Sequence, residues 1–512
     1  MKANHITFIW IFFSICFWLS TSSCKDNHPT LMNPVIQMGK VTVTGKIISN
    51  GKDSLHKPMW MMIGIVHPIS GEVIRKEVET DKSGNYSIEL NSETNPAIIL
   101  LSTEINPYQP MYLELFPDQK SKVDIFYSEN GSIDKIDAPK NELTDNDMLR
   151  GMELFSKIVD YIPEGERPQL YDKVPESHIK HIIERINEKR DLLNKDTLVS
   201  LNFKKFLDNE LRLWLYSAHG FDYTYEMKLN YNNINRREIP DTLKIIEPSR
   251  KYYSFIQELN LNSCQFLCNS SFPEFQEQLL FTKALDIPPI AETPIDKWQE
   301  AVKMKIADLI GFKDGLYYDV LTANAYAIQL KMKGEPLSEK QKENIHHYFK
   351  GREIEKILLS KNDEIKKIAS QNEPLAVQKT PDVDAAHLME TIIAKNKGKV
   401  VIVDFWATWC GPCLQAIKEM KTLGAITKEG ELTHIYFTNS TSSKTLWLQR
   451  IEMIGGEHYY IDVRTWDCLI DKYSFTGIPS YLVFDKKGVL IDHFTGYPGN
   501  DKMREIIKKA LK

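Results

Sequence analysis

The sequence predicts a multidomain protein with an N-terminal all-β, sandwich-like domain, a mainly α-helical middle region and a C-terminal α/β domain. Three observations predict this organisation. Short runs alternate apolar with polar residues between positions 38 and 136, whereas apolar residues recur every three or four positions between 137 and 372. Between 373 and 512, a run of β-branched and aromatic residues comes directly before a segment of good helix formers. A chain of 512 residues is also too long for one hydrophobic core.

The composition argues against a nucleic-acid-binding protein and against a protein whose body spans a membrane. A formal net charge of -5 gives no electrostatic basis for binding nucleic acid. The hydrophobic fraction of 42% is ordinary for a protein that folds in water, and no apolar run after the N-terminal one is long enough to cross a bilayer. We therefore expect a globular body that has no nucleic-acid partner.

The N-terminus is predicted to be a signal peptide covering residues 1–23. Lys2 supplies a positive charge, and residues 6–19 form an almost wholly apolar run that is short for a membrane span. The small residues before Cys24 are similar to a bacterial lipoprotein box, with cleavage before that cysteine and lipid on its sulfur. The box prefers Leu where Thr21 stands, so simple secretion stays open as the alternative. We expect a location in the bacterial cell envelope or periplasm, with a lipid anchor through Cys24.

A polar segment with two prolines, residues 24–37, is predicted to tether the β domain at 38–136. Within that domain, residues 86–90 alternate cleanly after a turn at 81–85, and other short runs follow at similar spacing. This spacing favours a β-sandwich or a small barrel. No functional site is predicted in the domain.

The region 137–372 is predicted to be mainly helical. Ser338 and Gln341 form a capping box that marks the start of one of its helices. The stretch between 221 and 294 is harder to interpret, because its aromatic residues either line a binding groove or pack in the core. These aromatic residues include Tyr223, Tyr225, Tyr231, Tyr252 and Tyr253.

The last part of the chain, 373–512, is predicted to alternate helices with strands after a proline-bracketed linker at 371–381. The predicted helices are 385–395, 414–420, 444–453, 466–473 and 501–511, and the predicted strands are 400–406, 432–437, 459–463, 481–484 and 489–493. A hairpin turn at 485–488 joins the last two strands.

Two cysteines, Cys410 and Cys413, stand where the strand at 400–406 leads into the N-terminus of the helix at 414–420. Free N–H groups and the positive end of the helix dipole stabilise an anion at that position. Because the thiolate is the nucleophile in thiol–disulfide exchange, we predict that Cys410 attacks and that Cys413 resolves the mixed disulfide. The expected redox group is the Cys410–Cys413 disulfide itself, with no other cofactor and no metal.

The segment 405–413 resembles the active-site segment of the envelope-anchored thioredoxin-like family typified by TlpA and ResA. Residues 477–485 are similar to the cis-proline loop of that family, which runs into the next strand. The resemblance implies a thioredoxin fold for 373–512. It also implies that Pro479 packs against the cysteine pair and that Ile478 offers backbone groups to a substrate strand.

The same resemblance implies roles for the residues around the sulfurs. Trp409, Gly411 and Pro412 are expected to shape the surface and the geometry of the cysteine pair. The Gly-Pro dipeptide is the one found in reducing thioredoxins, which favours reduction of disulfides. The direction nevertheless depends on the reduction potentials of the protein and its partners.

Asp404 is a further candidate for a catalytic role. A carboxylate at the end of a buried strand is costly unless it has a purpose. The resemblance places Asp404 where thioredoxins keep a buried acid behind the second cysteine, and there it acts through water as a base on Cys413. The alternative is an aspartate that is satisfied by hydrogen bonds at a strand end.

The other cysteines and the histidine pairs have weaker interpretations. Cys264 and Cys268 would share a helical face, where they form either a structural disulfide or two small buried thiols. Cys468 is either a buried core thiol or a regulatory one. A zinc site at the Cys-x-x-Cys would need a second ligand pair, and no other Cys-x-x-Cys exists. Metal binding is also not expected at the histidine pairs His178/His181 and His346/His347.

We therefore predict a cell-envelope thiol–disulfide oxidoreductase. Its expected partners are client proteins with disulfides and a membrane or envelope electron donor, and its lipid anchor would hold it at a membrane. One alternative is a lipid-anchored binding or assembly protein that uses its thioredoxin domain for redox sensing, since the rest of the chain is too large to be a mere tether. Another alternative is a disulfide oxidase or isomerase.

Overall fold

The computed structural model describes most of the chain after residue 30. The described residues are 31, 33–49, 58–106, 110–139, 142–159, 168–235, 240, 244–370, 375–421, 430–442 and 444–512. The predicted signal peptide and the predicted lipidation site at Cys24 lie outside these residues. Within these ranges, no helix combines the length and the apolar character needed to cross a membrane.

The N-terminal part is built of β-strands, as predicted. Its strands are β1 Val35–Ser49, β2 Trp60–His67, β3 Glu72–Glu79, β4 Asn85–Asn95, β5 Ala97–Thr103, β6 Met111–Leu115, β7 Lys120–Lys122, β8 Asp124–Tyr127 and β9 Ile133–Asp137. One sheet has the order β4-β1-β8-β9, with β7 also paired to β1, and the other has the order β3-β2-β5-β6. Strand β1 begins within the predicted tether, because Val35 and Ile36 pair with Asn95 and Thr94.

The two sheets enclose a shared apolar interior. Val41 and Val43 of β1 and Ile63 and Ile65 of β2 are buried in one cluster, whereas the residues between them on each strand are more exposed. This alternation is expected when each sheet buries one face against the other. The prediction of a sandwich-like β domain is therefore confirmed.

The middle region is mainly helical, as predicted. Its α-helices are α1 Asp145–Ile158, α2 Pro175–Lys195, α3 Leu201–Leu215, α4 Tyr223–Asn235, α5 Phe272–Phe281, α6 Ile295–Ile310, α7 Leu316–Ile328, α8 Glu339–Phe349 and α9 Glu353–Ser370. Short 3-10 helices lie at Arg250–Leu259, Cys264–Cys268 and Lys283–Leu285, and π-helical turns lie at Tyr216–Gly220 and Gln329–Lys333. The predicted capping box at the start of α8 is present, since Ser338 and Gln341 exchange side-chain hydrogen bonds with each other's backbone N–H.

The tyrosines of the 221–294 stretch serve packing. Of the five named tyrosines, only Tyr225 is exposed. The other four are buried and form edge-to-face ring contacts: Tyr223, Tyr231, Tyr252 and Tyr253. They contribute to the core, and the groove hypothesis gains no support from their positions.

The β domain and the helical region share one hydrophobic core. A single cluster of buried residues runs from Leu31 to Ile365. At the junction, the ring of Tyr112 on β6 lies 5.2 Å from Phe203 and 5.7 Å from Phe206 on α3, measured between centroids. The predicted boundary at 136/137 therefore separates elements whose side chains pack together.

The C-terminal part is an α/β unit, as predicted. Its elements are α10 Ala385–Lys395, β10 Val400–Phe405, α11 Gly411–Met420, β11 Leu432–Asn439, α12 Lys444–Ile454, β12 Glu457–Ile461, α13 Val463–Lys472, β13 Ser480–Phe484, β14 Leu490–Thr495 and α14 Asn500–Ala510. The sheet order is β12-β11-β10-β13-β14, in which β10 is parallel to β11 and antiparallel to β13. All six residues of β10 are buried, because helices cover both faces of this central strand.

The two faces of this sheet have separate cores. One cluster joins Val400 and Ile402 to α11, α12 and α14, and the other joins Val401 and Val403 to α10 and α13. The predicted linker is attached to the edge of the sheet: the His458 N–H donates to the Ala376 carbonyl at 2.7 Å, and the Gln378 N–H donates to the His458 carbonyl at 2.8 Å. The segment that enters the unit thus extends the sheet beyond β12.

Candidate active site

The cysteine pair lies at the junction of β10 with α11. Cys410 is the N-cap residue of α11, and its Sγ accepts a hydrogen bond from the Cys413 N–H at 3.2 Å. Pro412 stands in the first turn, where its missing N–H leaves no intrahelical bond unmade. The two sulfurs form a disulfide, with 5.3 Å between the Cα atoms. The predicted strand-to-helix position of the pair is therefore present, and the structure holds the oxidised state.

The two cysteines differ in accessibility. Cys410 is 4% exposed and Cys413 is fully buried, so Cys410 is the one a partner can reach. Next to them, Gly411 and Pro412 are exposed, and Trp409 is 51% exposed with its Nε1 donating to Thr441 Oγ1 at 3.1 Å. An apolar surface thus surrounds the accessible sulfur.

The predicted proline loop lies against this pair. The Ile478–Pro479 peptide bond is cis, and the Ile478 carbonyl oxygen is 3.8 Å from Cys410 Sγ. The Gly496 N–H donates to the Pro479 carbonyl at 2.7 Å, from a residue whose φ of 85° suits glycine. The loop is thereby fixed from β14, with Ile478 facing the sulfur.

Asp404 is buried in the core beneath the disulfide. It is 1% exposed, and alternation along β10 places it on the face of Val400 and Ile402, where Cys413 also packs. Within the described residues, neither carboxyl oxygen has a hydrogen-bond partner. Burial raises the pKa of the Asp404 carboxyl well above its usual range. The alternative of an aspartate satisfied by hydrogen bonds at a strand end has no support here.

Strand register places Asp404 in a row of polar side chains that the sequence did not reveal. Asp404 pairs with Tyr481 on β13 and with Tyr436 on β11, and Tyr436 pairs with His458 on β12. All four side chains are buried, and directly paired residues point to the same face of a sheet. We call Tyr481, Asp404, Tyr436 and His458 the buried polar row. Their spacing in sequence is irregular, so only strand pairing brings them together.

His458 closes one end of the buried polar row as a neutral ring. Its Nε2 lies 2.9 Å from the Gly455 carbonyl, to which it donates, and its ring stacks on Tyr436 with centroids 4.6 Å apart. Burial lowers the pKa of His458 to about 4. The row therefore presents one carboxyl, two phenols and one neutral imidazole to the core beneath Cys413. Burial raises the pKa of the Asp404 carboxyl but lowers that of the His458 imidazole.

A second feature missed from the sequence is Arg450 on α12. Its Nη1 donates to the Thr408 carbonyl at 2.9 Å, and the Thr408 N–H donates to Ser442 Oγ at 2.9 Å. These two bonds hold both the carbonyl and the N–H of Thr408, which lies two residues before Cys410. An arginine late in a helix carries no sequence signal for such a role.

The remaining candidates lie apart from the disulfide. Cys264, Cys268 and Cys468 are free thiols, so the possible Cys264–Cys268 disulfide is not formed in this structure. His178 Nε2 lies 2.8 Å from the His219 carbonyl, and His346 Nδ1 lies 2.6 Å from Glu355. Across the residues that the structure describes, no group of three or more His, Cys, Asp or Glu side chains is placed to hold a metal ion.

The C-terminal unit thus combines a disulfide between two cysteines at a helix N-terminus with a cis-proline loop beside it on a mixed sheet. The family model of a thioredoxin-like domain matches residues 389–511, which contain all of these features. The C-terminal unit is therefore a thioredoxin-like domain.

Named relatives match the same part of the chain. The thioredoxin-like protein YneN of Bacillus subtilis (strain 168) is 28% identical over 137 residues, which are 25% of this chain and 76% of the relative. The thioredoxin of Staphylococcus aureus (strain N315) is 26% identical over 137 residues, which are 27% of this chain and all of the relative. The solved thioredoxin domain of a thiol-disulfide oxidoreductase from Bacteroides vulgatus is 18% identical, covers 23% of this chain and 84% of its own, and has a TM-score of 0.21. These similarities concern about a quarter of the chain.

Proposed function

We propose that the protein is a thiol–disulfide oxidoreductase that reduces disulfides in client proteins. The observation that carries this proposal is the Cys410–Cys413 disulfide at the N-terminus of α11, with Cys410 as the accessible sulfur beside cis-Pro479. Helix N–H groups and the helix dipole favour the thiolate of Cys410 in the reduced protein.

In the first step, the Cys410 thiolate attacks one sulfur of a client disulfide. A bond forms between Cys410 Sγ and that sulfur, the client S–S bond breaks, and the second client sulfur leaves as a thiolate that takes a proton from solvent. The Cys413 N–H, which lies 3.2 Å from Cys410 Sγ in the oxidised protein, is a donor to the attacking thiolate.

In the second step, Cys413 attacks Cys410 Sγ. The Cys413 thiol first loses its proton to Asp404 through water, since the carboxylate is buried on the same face and has no protein hydrogen-bond partner within the described residues. The Cys410–Cys413 bond forms and the client leaves with its second sulfur reduced. The client gains two electrons and two protons, and an external dithiol must then reduce the Cys410–Cys413 pair.

The proline loop orients the client in this proposal. Ile478 places its carbonyl 3.8 Å from Cys410 Sγ, and its N–H has no acceptor within the described residues. An extended client segment can pair with these backbone groups while its disulfide lies over Cys410. Trp409, which is half exposed and directly precedes Cys410, supplies apolar contact to the client.

The reduction potential of the Cys410–Cys413 pair tests the proposed direction. We expect a value near that of thioredoxin, about -270 mV, when the full chain is equilibrated in dithiothreitol buffers and the 410–413 peptide is followed by alkylation and mass spectrometry. A value near about -120 mV would make the protein a disulfide donor and overturn the direction. If the pair showed no dithiol–disulfide transition, the oxidoreductase proposal would fail, and redox-independent binding would replace it. Cys264, Cys268 and Cys468, which are free thiols in the described part of the chain, provide the internal control.

The boundaries 38–136, 137–372 and 373–512 remain our proposed domain limits.

We also propose an envelope location with a lipid on Cys24. Small residues before Cys24 after an apolar run support the lipid anchor. In a bacterial host fed a labelled fatty acid, we expect the full chain to incorporate the label and Cys24→Ser to lose it. Cys264→Ser should keep the label. Equal labelling of the Cys24→Ser variant would rule out this anchor.

A further inference from the structure

Three buried side chains in the core beneath the disulfide carry polar atoms that have no hydrogen-bond partner within the described residues. These atoms are the two carboxyl oxygens of Asp404, the hydroxyl of Tyr481 and Nε1 of Trp406. Each of the three residues is at most 1% exposed. Buried polar groups without a protein partner are rare, and ordered water normally supplies the missing hydrogen bonds. An acceptor that lacks donors therefore shares this core with two donors that lack acceptors.

Strand pairing places the Tyr481 side chain directly beside Asp404. The two residues stand opposite each other in the antiparallel pair of β10 and β13. Directly opposite residues point to the same face, with about 4.5–5.5 Å between their Cβ atoms. The polar ends of the two side chains are not in direct hydrogen-bond contact. A water molecule between them has a donor on one side and an acceptor on the other, which is the polar setting that a buried water needs.

Trp406 brings a second donor to the same face. It follows Asp404 by two positions, and its ring packs in the cluster that contains Cys413 and Tyr481. Its indole ring lies 6.3 Å from the imidazole of His458, measured between centroids. An indole N–H can donate but cannot accept. The surroundings of the carboxyl thus offer donors to its ionised form.

The titratable side chains on the neighbouring strands are uncharged at neutral pH. Burial raises the pKa values of the Tyr436 and Tyr481 phenols, and the nearby Asp404 adds to this effect. Burial lowers the pKa values of His434 and His458 to about 4. None of these groups can neutralise a carboxylate. Of the two phenols beside Asp404, Tyr481 is the one whose hydroxyl is buried without a protein partner among the described residues.

The helices over this face supply no cation to Asp404. Helix α11 contributes the thiol of Cys413 and the half-buried Glu419, whose carboxylate acts on Tyr481 and on Tyr497 after β14. Arg504 of α14 acts on Tyr497, whose ring lies 5.9 Å from that of Tyr481 between centroids. The residues that α12 and α14 bury in this core do not titrate: Trp447, Ile451, Met503 and Ile507. Hydrogen-bond donors are therefore the means by which this core stabilises an ionised Asp404.

We propose that Tyr481 is a positioning residue for the resolution of the mixed disulfide: its hydroxyl hydrogen-bonds, through water, the Asp404 carboxylate that takes the proton of Cys413. This inference rests on the proposed function and adds a residue to its second step. A hydrogen bond to the ionised form of an acid favours ionisation. Tyr481 thereby holds Asp404 in the state in which it can act as a base.

The proton and the sulfur atoms are accounted for in this step. A proton moves from Cys413 Sγ to a carboxylate oxygen of Asp404. The Cys413 thiolate then forms a bond with Cys410 Sγ, the bond between Cys410 and the client sulfur breaks, and the client leaves as a thiolate that solvent protonates. Asp404 afterwards releases its proton to solvent. Tyr481 keeps its own proton throughout, because its pKa is raised.

The test follows the second step in the reduced full chain. A cysteine peptide linked to a second copy of itself by a disulfide is mixed with a large excess of protein, so that the first step is fast. Samples are quenched in acid at successive times between pH 6 and 9, and mass spectrometry of the segment with Cys410 and Cys413 measures the decay of the mixed disulfide. We expect Tyr481→Phe to move the pH midpoint of this decay upward by about one unit. The rate then falls about tenfold at pH 7, and the difference narrows as the pH rises.

Two control variants separate this effect from a general disturbance of the core. Tyr459→Phe removes a buried hydroxyl from the opposite face of the same sheet and should leave the midpoint unchanged. In an Asp404→Asn background, Tyr481→Phe should no longer alter the pH dependence, because it acts through Asp404. Phenylalanine keeps the ring that packs 5.4 Å from Phe494 between centroids, so the variant should fold.

A second measurement does not depend on activity. The raised pKa of Asp404 in the folded protein makes the stability of the domain fall as pH rises from the unfolded pKa toward the folded one. Tyr481→Phe raises the folded pKa further, so this fall should continue to a higher pH. Hydrogen exchange of the β10 amides from pH 5 to 9, corrected for the intrinsic exchange rates, compares the oxidised parent and the variant.

The outcomes distinguish the inference from the proposed function. A rate lowered equally at every pH, an equal effect of Tyr459→Phe, or a shift that persists in Asp404→Asn would overturn the inference and leave the exchange chemistry intact. If the parent formed no mixed disulfide at Cys410, the proposed function would fail, and the inference would fail with it. Hydrogen exchange separates these two failures, since it reports the action of Tyr481 on Asp404 in either case.

Discussion

Replacement of Cys410 by serine is expected to lower the rate of client-disulfide reduction by at least about 10³-fold, because the attacking sulfur is then absent. Cys413→Ser is expected to give a different result. Cys410 still attacks, but the mixed disulfide has no internal thiol to resolve it and accumulates. Single-turnover assays with a disulfide peptide, read by non-reducing gels and mass spectrometry, distinguish the two variants.

The matched control is Cys468→Ser. Cys468 is a free, partly exposed thiol on α13 of the same domain, so its loss removes a cysteine without touching the disulfide. Turnover should be unchanged. If the domain served only for binding, all three variants would still bind the partner. Unchanged turnover in Cys410→Ser would contradict the exchange chemistry.

Local sequence was enough to predict the disulfide site. The predicted strand at 400–406 corresponds to β10, whose residues are all buried. The predicted helix at 414–420 lies within α11. The strand and the helix that flank the cysteines depend on neighbours in the chain, which a sequence pattern contains. The position of Ile478 and Pro479 beside the pair was instead implied by the family resemblance, and the Ile478 carbonyl oxygen lies 3.8 Å from Cys410 Sγ.

Long-range pairing explains what the sequence did not predict. His458 joins Asp404 in the buried polar row only because β10, β11 and β12 are paired in one register. Arg450 on α12 donates to the Thr408 carbonyl beyond the end of β10, and the ring contact of Tyr112 with Phe203 joins two regions that were predicted separately. No local period encodes such contacts.

Asp404→Asn is expected to stabilise the thioredoxin-like domain at neutral pH and to slow its catalysis. The carboxyl has a raised pKa in the folded protein, whereas in the unfolded chain it ionises near pH 3.9. Between these two values the folded state binds more protons, so stability falls as pH rises, by up to about 1.4 kcal/mol per pH unit. Asparagine does not ionise, so its advantage should be largest at neutral pH and should disappear near pH 4.

Hydrogen exchange of the β10 amides in the oxidised full chain measures this stability locally, which avoids assuming two-state unfolding of a multidomain protein. Asp471→Asn, at an exposed carboxylate on α13, is the control and should leave the exchange of β10 unchanged. A stability gain for Asp404→Asn that is independent of pH would contradict ionisation as its cause.

The catalytic effect separates a base from a buried carboxyl that is only structural. If Asp404 takes the proton of Cys413, Asp404→Asn should slow release of the client thiol about 10²-fold at pH 7 and should leave the first attack by Cys410 unchanged. The pH dependence of release should also move, because in the variant it follows the thiol of Cys413 alone. Single-turnover release measured from pH 6 to 9 gives both quantities. An altered stability with an unaltered release profile would assign Asp404 to the fold, and the buried polar row would then have no part in resolving the mixed disulfide.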